Sequence, residues 1–169
     1  YDTVGSLWSG YQNCHINFGV GGYLTIGADN GSSSFEGIIT GTGFAGGYTL
    51  RKIGTGTIEL TGNNTYLNQT RVDAGTLLIQ GSQPQSPLVI SSGGTAGGRG
   101  TVGDISCAGN LIPGDDYTMW PSAPRANTLT CSNVFFTGAG DFFVDLTGPS
   151  AGTNGYDQLK IRGTNNLNT

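Results

Sequence analysis

One histidine, one methionine and seven basic residues are all that 169 residues supply, against eleven acidic ones, for a formal net charge of −4. The basic residues are scattered, and a nucleic-acid partner, which needs clustered Lys and Arg to displace counterions, is excluded on that ground. No apolar run approaches the roughly 18 to 20 residues of a membrane-spanning helix, so the chain is not expected to span a membrane in that way. It starts at Tyr1 with neither a methionine nor a signal peptide, and is expected to be a mature or excised segment. Cysteine is scarce: Cys14, Cys107 and Cys131 allow at most one disulfide, and none belongs to a Cys-x-x-Cys pair. His15 directly follows Cys14, a spacing outside the tetrahedral zinc signatures, so neither a metal nor another cofactor is expected.

What the chain has in abundance is glycine, 31 residues of it, with only 36% hydrophobic and 11% charged residues. Ile, Leu, Val, Phe and Tyr nevertheless recur at short intervals, which argues against disorder and for a thin, repeated core. Runs of four to six residues alternate apolar and polar side chains between Gly, Asn and Asp turn signals. Gly or Asn interrupts each segment before three helical turns could form, so essentially no α-helix is expected. A Thr followed by Ile, Leu or Val opens a strand at Thr57, Thr76, Thr101 and Thr128, in steps of 19, 25 and 27 residues. That period is too short for a propeller blade and suits one coil of a parallel β-solenoid of roughly 20–25 residues.

In such a coil, strands pair with their equivalents above and below at about 4.8 Å. Ile58 and Leu60 would face inward with Thr57 and Glu59 outward, and Val72, Leu77 and Ile79 would repeat the logic. Gly56, Gly62, Gly75 and Gly81 are expected at corners, where positive φ suits glycine. Asn63-Asn64 forms either a tight turn or a side-chain amide ladder. The expected organisation is one β-solenoid domain over residues 1–169, with residues 1–30 as an N-terminal cap or first coil. Trp8, Tyr11 and Phe18 either cap that end or fill the first rung.

Gly54-Thr-Gly-Thr-Ile-Glu-Leu-Thr-Gly-Asn-Asn-Thr-Tyr66, continued by Thr70-Arg-Val-Asp-Ala-Gly-Thr-Leu-Leu-Ile-Gln-Gly81, resembles the autotransporter passenger-associated β-strand repeat almost position for position. Looser likeness runs from about residue 23 to 163. The resemblance implies a right-handed parallel β-helix in a secreted or surface-displayed bacterial protein, and it carries over no catalytic residues. Two departures stand out. Residues 115–126 insert a loop where a short Pro-Gly turn is usual, and cysteines occur at Cys107 and Cys131.

Catalytic chemistry finds little support in the residues. A glycosidase needs two carboxylates about 5 to 9.5 Å apart. Asp141 and Asp145 share an outward strand face but lie ~13 Å apart, and Asp115 and Asp116 point opposite ways if extended. Solvated surface carboxylates account for all four. A Cys14–His15 dyad would need strand neighbours on one side, and such neighbours face apart. Gly97-Gly-Arg-Gly100 and Gly19-Val-Gly-Gly22 precede no helix able to hold a phosphate and read as corners. No catalytic residue is assigned.

Cys107 and Cys131 are expected to stack in neighbouring coils, either as a disulfide or as two small apolar groups. Tyr117, Met119 and Trp120, on the inserted loop, form a candidate binding surface for a glycan or protein, or fold back over the coil wall. The expected function is a non-catalytic structural module of a secreted or cell-surface protein, acting as stalk, spacer or fibre element, with adhesion as a further role. Uncapped ends would allow head-to-tail self-association, and a glycan or cell-surface ligand is the other expected partner. The alternative is a carbohydrate-active or glycan-binding β-helix protein.

Overall fold

The computed structural model describes residues 2–42, 47–114, 127–144, 146 and 156–163. Every named strand pairing among them is parallel, and no helix occurs among them. The chain is a parallel β-helix with three walls. The first wall is a seven-stranded sheet of Asp2–Thr3, Leu24–Ile26, Tyr48–Lys52, Gln69–Val72, Leu88–Ile90, Ile105–Cys107 and Val134–Phe136. The second is a six-stranded sheet running from Ser33–Phe35 through Thr57–Leu60, Gly75–Ile79, Gly94–Gly98 and Asn110–Pro113 to Asp141–Phe142. The third is split. His15–Asn17 pairs with Ile38–Thr40, and a four-stranded sheet later joins Ser82–Gln83, Thr101–Val102, Thr128–Cys131 and Gln158–Ile161.

Side-chain alternation fills the tube. Thr57 and Glu59 face outward while Ile58 and Leu60 are fully buried, as their alternation requires. On the first wall, Leu24, Leu50, Thr70, Leu88, Ile105 and Val134 stack in one inward column, and Ile26, Lys52, Val72, Ile90, Cys107 and Phe136 in the next. Each rung adds only a few apolar side chains, such as Leu88, Ile90, Ala96 and Val102 in one coil, which is how a composition so poor in them still yields a continuous core.

Two expectations about the repeat are corrected. Thr57 and Thr76 do stack, 19 residues apart, but the next rung of that column is Thr95, whereas Thr101 lies on the third wall opposite Thr130. A Thr-apolar pair opens strands on two different walls, so its spacing mixes coil length with wall-to-wall distance. Coil steps accordingly spread wider than 20–25, from 15 residues between Thr95 and Asn110 to 31 between Asn110 and Asp141. The longest step contains the inserted segment.

The second correction concerns glycine. Of Gly56, Gly62, Gly75 and Gly81, only Gly75 has positive φ, at 64°. The others are glycine because the next coil comes too close. A Cβ on Gly62 would overlap the Gly37 carbonyl, one on Gly81 the Gly62 carbonyl, and one on Gly100 the Gly81 carbonyl. Gly97 lies inside a strand rather than at a corner, with the Ile112 carbonyl where its Cβ would be.

The first rung is paired rather than detached. Asp2–Thr3 continues the first wall, Ser9 bridges to Phe35, and His15–Asn17 opens the third. Trp8 and Tyr11 are more than 70% exposed and so do not fill it, whereas Phe18 packs against the core.

Candidate functional site

The candidates read from sequence scatter over the fold. Tyr117, Met119 and Trp120, with Asp115, Asp116 and Asp145, lie outside the described residues. Asp141 is exposed at the end of the second wall beside its ladder neighbour Asn110. Cys14 packs against the core while His15 is exposed, so the two side chains diverge as strand neighbours do and form no dyad. Among the described residues, no three His, Cys, Asp or Glu side chains gather as a metal site.

The stacking of Cys107 with Cys131 is overturned. Cys107 belongs to the first wall between Ile90 and Phe136, whereas Cys131 belongs to the third, opposite Ile161. Their positions in sequence suggested neighbouring coils, but the two strands sit on different walls. Both thiols are buried and free, and Cys14 is free as well. Burial pushes the Cys107 thiol up and Cys131 up to about 11, so neither is an available thiolate at neutral pH.

Sequence reasoning missed the polar groups inside the tube. Tyr66, Thr70, Gln83 and Ser86 are wholly buried and hydrogen-bonded to one another. The Tyr66 hydroxyl donates to Gln83 Oε1 at 3.0 Å and lies 2.6 Å from Thr70 Oγ1. Gln83 Nε2 donates to Thr70 Oγ1 at 3.0 Å, and Ser86 Oγ donates to the Asn68 carbonyl at 2.7 Å. Asn64 joins from the coil above, its Oδ1 accepting the Ile39 amide at 2.9 Å and its Nδ2 donating to Gln83 Oε1 at 3.4 Å. Asn64 thus makes an inter-coil amide contact. Burial pushes the Tyr66 phenol up to about 12. With its partners satisfied and its side chains fully buried, this network organises a corner.

Lys52 is the second interior surprise. It occupies an inward position between Ile26 and Val72, and its ammonium donates to the carbonyls of Ile53, Gly54 and Ala74 at 2.7, 2.9 and 3.2 Å. Burial, partly offset by Asp29, pushes Lys52 down to about 8. The unfolded chain, with an ordinary lysine near 10.5, holds more protons between those values, so unfolding free energy rises with pH across that window. The raised Cys107 and Cys131 thiols oppose this from about pH 9, so the Lys52 contribution is read as the difference between the parent and Lys52→Met, which in chemical denaturation should grow by on the order of 1–2 kcal/mol from pH 7.5 to 9.5. Above about pH 10 the raised Tyr66 acts oppositely, because the folded state then holds the extra proton.

On the outside, the first wall carries the one ordered arrangement of charge and aromatics among the described residues. Thr25, Arg51, Arg71, Val89 and Ser106 form its outward column. The neighbouring arginines share Asp73: Arg51 Nε meets Oδ2 and Arg71 Nε meets Oδ1, both at 2.6 Å, and Ser91 Oγ donates to Oδ1 at 2.8 Å. Desolvation raises the Asp73 carboxyl, but the bonds from Arg71, Arg51 and Ser91 outweigh it and hold the carboxyl below its ordinary value. Beside the arginines, Tyr48 sits edge-on to Tyr23 with ring centroids 5.0 Å apart, and the Arg51 guanidinium lies 5.9 Å from the Tyr48 centroid.

A β-bulge creates this surface. Tyr48 pairs with Gln69 and Leu50 with Thr70, which leaves Thr49 as the extra residue. Thr49 turns inward, fully buried, with its hydroxyl on the Leu67 carbonyl. Without the bulge, alternation back from outward Arg51 would send Tyr48 into the core.

This architecture defines a class, the parallel β-helix. Residues 50–79, two strands of the first wall and two of the second, match the family model described as Passenger-associated-transport-repeat. The chain resembles autotransporter passenger repeat proteins beyond that unit too. It is 37% identical over 97 residues to the "Adhesin BmaC autotransporter" of Brucella suis biovar 1 (strain 1330), covering 55% of this chain and 3% of that protein. It is 46% identical over 68 residues to the "Extracellular serine protease" of Serratia marcescens, covering 39% of this chain and 6% of that one. The chain thus spans only a small fraction of the curated relatives it matches. No solved structure matches it. The repeat and these likenesses place the chain with secreted or cell-surface proteins.

Proposed function

We propose that the chain is a non-catalytic β-helix module that acts as a stalk or spacer, makes adhesive contacts along its walls, and stacks end to end into an extracellular fibre. The observation that carries the reading is the first wall, seven parallel strands in one continuous sheet from Asp2 to Phe136, with a register shift at the Thr49 bulge. At ~4.8 Å per step those rungs span about 29 Å. A narrow core, only a few side chains wide on each rung, supports length rather than a deep cleft. The printed name of one relative, an adhesin, supports the adhesive part. The other relative's printed name, an extracellular serine protease, is said of that protein alone.

End-to-end stacking is supported by apolar exposure on the last described rung of the second wall, where Phe142 continues the inward column of Leu111 and is 44% exposed. Phe142 packs edge-on to Phe136 at 6.3 Å beside an opening lined by Val134, Val144, Leu159 and Ile161. Sedimentation velocity from micromolar to millimolar concentration tests it. The sedimentation coefficient should climb with concentration in the parent protein and stay monomeric in Phe142→Glu. A parent that remains monomeric throughout would end the fibre reading and leave the spacer. Replacing the segment in its natural polypeptide by an unrelated β-helix of equal coil number tests the adhesive part: display should persist and attachment fall.

A further inference from the structure

We propose that the outward platform of Tyr23, Tyr48, Arg51 and Arg71 on the first wall is a binding site for an anionic, carboxylate-bearing polysaccharide. The inference rests on the adhesive reading above and names the ligand class and the wall that meets it.

The argument starts from a cost. Arg51 and Arg71 are direct ladder neighbours, and like charges opposed across a sheet destabilise it. Asp73 relieves the repulsion, yet it does so through the Nε of each guanidinium. That geometry leaves the terminal amino pair of Arg71 as the edge able to take a further carboxylate bidentately, while the Arg51 guanidinium also engages Tyr48. Both side chains remain about 40% exposed, 39% for Arg51 and 44% for Arg71, while Asp73 beneath them is only 16% exposed. One carboxylate between two guanidiniums leaves a net positive spot on a chain whose formal charge is −4.

Charge neutralisation alone does not call for the aromatic half. The bulge at Thr49 spends an inward position on a threonine in order to face Tyr48 outward, where it meets Tyr23 and lies against Arg51. Bulges that re-aim a side chain concentrate at functional places on sheets. Half-buried tyrosine rings present flat apolar surface with a polar rim, the surface on which the C–H face of a sugar ring stacks. The Arg71 fork one rung away then meets a carboxylate carried by the same or the next sugar. The wall is extended along the stack of coils, which suits a linear polymer lying across several rungs rather than a single small anion.

Calorimetric titration of the folded chain with polygalacturonate oligomers tests the site, with fully methyl-esterified oligomers and poly-L-glutamate as controls. The acidic sugar should bind, the ester should bind at least about tenfold more weakly, and added salt should weaken the acidic sugar's binding. Arg71→Gln should lose at least about tenfold, and Tyr48→Ala a similar factor, with unfolding midpoints near the parent's confirming that both variants fold. Tyr23→Ala supplies a second aromatic variant if Tyr48→Ala disturbs the bulge. Equal affinity for ester and acid, an unchanged affinity in Arg71→Gln, or no binding of any oligomer would overturn the proposal. Poly-L-glutamate binding as tightly as the sugar would overturn the role given to the tyrosines. Because attachment in the segment-replacement experiment is scored separately, attachment that falls there with no polygalacturonate binding here defeats the ligand assignment alone.

Discussion

Gly81→Ala should destabilise the fold by about 3 kcal/mol or more, although it adds a single methyl group at a position with ordinary negative φ. The reason is the column Gly37, Gly62, Gly81 and Gly100, in which each residue's missing Cβ is where the carbonyl of the coil above lies. The obstructing atom is backbone, held by its own ladder, so no rotamer change relieves the overlap. Gly81's amide also donates to the Leu60 carbonyl at 3.2 Å, and moving the chain aside would loosen that bond and the neighbouring Thr101 amide on the Gly81 carbonyl at 3.0 Å. Equilibrium urea unfolding measures the effect. Gly138→Ala is a useful contrast: it has positive φ, 65°, with open space around it, so it pays only local backbone strain, about 1 kcal/mol. A Gly81→Ala protein as stable as the parent would mean that the coils do not stack this closely.

Gln83→Ala should cost about 4 kcal/mol, more than any single hydrogen bond is worth, because one side chain serves three partners. Its Oε1 accepts from Tyr66 and Asn64, and its Nε2 donates to Thr70. Truncation leaves a fully buried phenol and an amide short of acceptors, at roughly 1–3 kcal/mol for each orphaned group, and adds a void. Tyr66→Phe, in contrast, removes one hydroxyl and leaves Thr70 with Ser86 at 2.9 Å and Gln83, so about 1.5 kcal/mol is expected. A double-mutant cycle between the two positions should therefore be strongly non-additive. Costs of equal size for both substitutions would indicate that the network is not closed as described.

The walls were legible in the sequence because alternation is a local signal. Thr57-Ile-Glu-Leu60 states its own inside and outside, and the 19-residue return at Thr76 states the stacking. The assignment of later strands to walls was not legible, since Thr-Val at 101 and Thr-Leu at 128 look like Thr-Ile at 57 while standing on another wall. The same ambiguity misplaced Cys107 and Cys131. Glycine's role was half legible: its positions mark where the chain turns, but whether φ or a neighbouring carbonyl requires it depends on the coil above. Leu78 departs from the alternation, being wholly buried although its neighbours Leu77 and Ile79 face the core.

The interior polar residues were invisible for a physical reason. Lys52, Gln83 and Asn64 are residues whose burial is costly unless paired, and their partners come from positions 13 to 25 residues away or from carbonyls at a corner. The candidate binding wall depended on one inserted residue. Tyr48-Thr-Leu-Arg-Lys52 reads as a regular strand with Tyr48, Leu50 and Lys52 inward, and only the register to Gln69 and Thr70 shows that Tyr48 is turned out beside Arg51. The aromatic loop that drew attention in the sequence, residues 115–126, lies outside the described residues.

The fold requires that the strands at Thr57 and Thr76 be successive coils rather than the two arms of a hairpin, and backbone nuclear Overhauser contacts distinguish the two directly. The parallel β-helix places Thr57 beside Thr76 and Leu60 beside Ile79, with Thr76 in turn beside Thr95. Amide-to-α contacts running in that order, each strand linked to one on either side, are the expected result. Contacts joining Thr57 to Ile79 and Leu60 to Thr76, the reversed order of an antiparallel pair, would contradict the account.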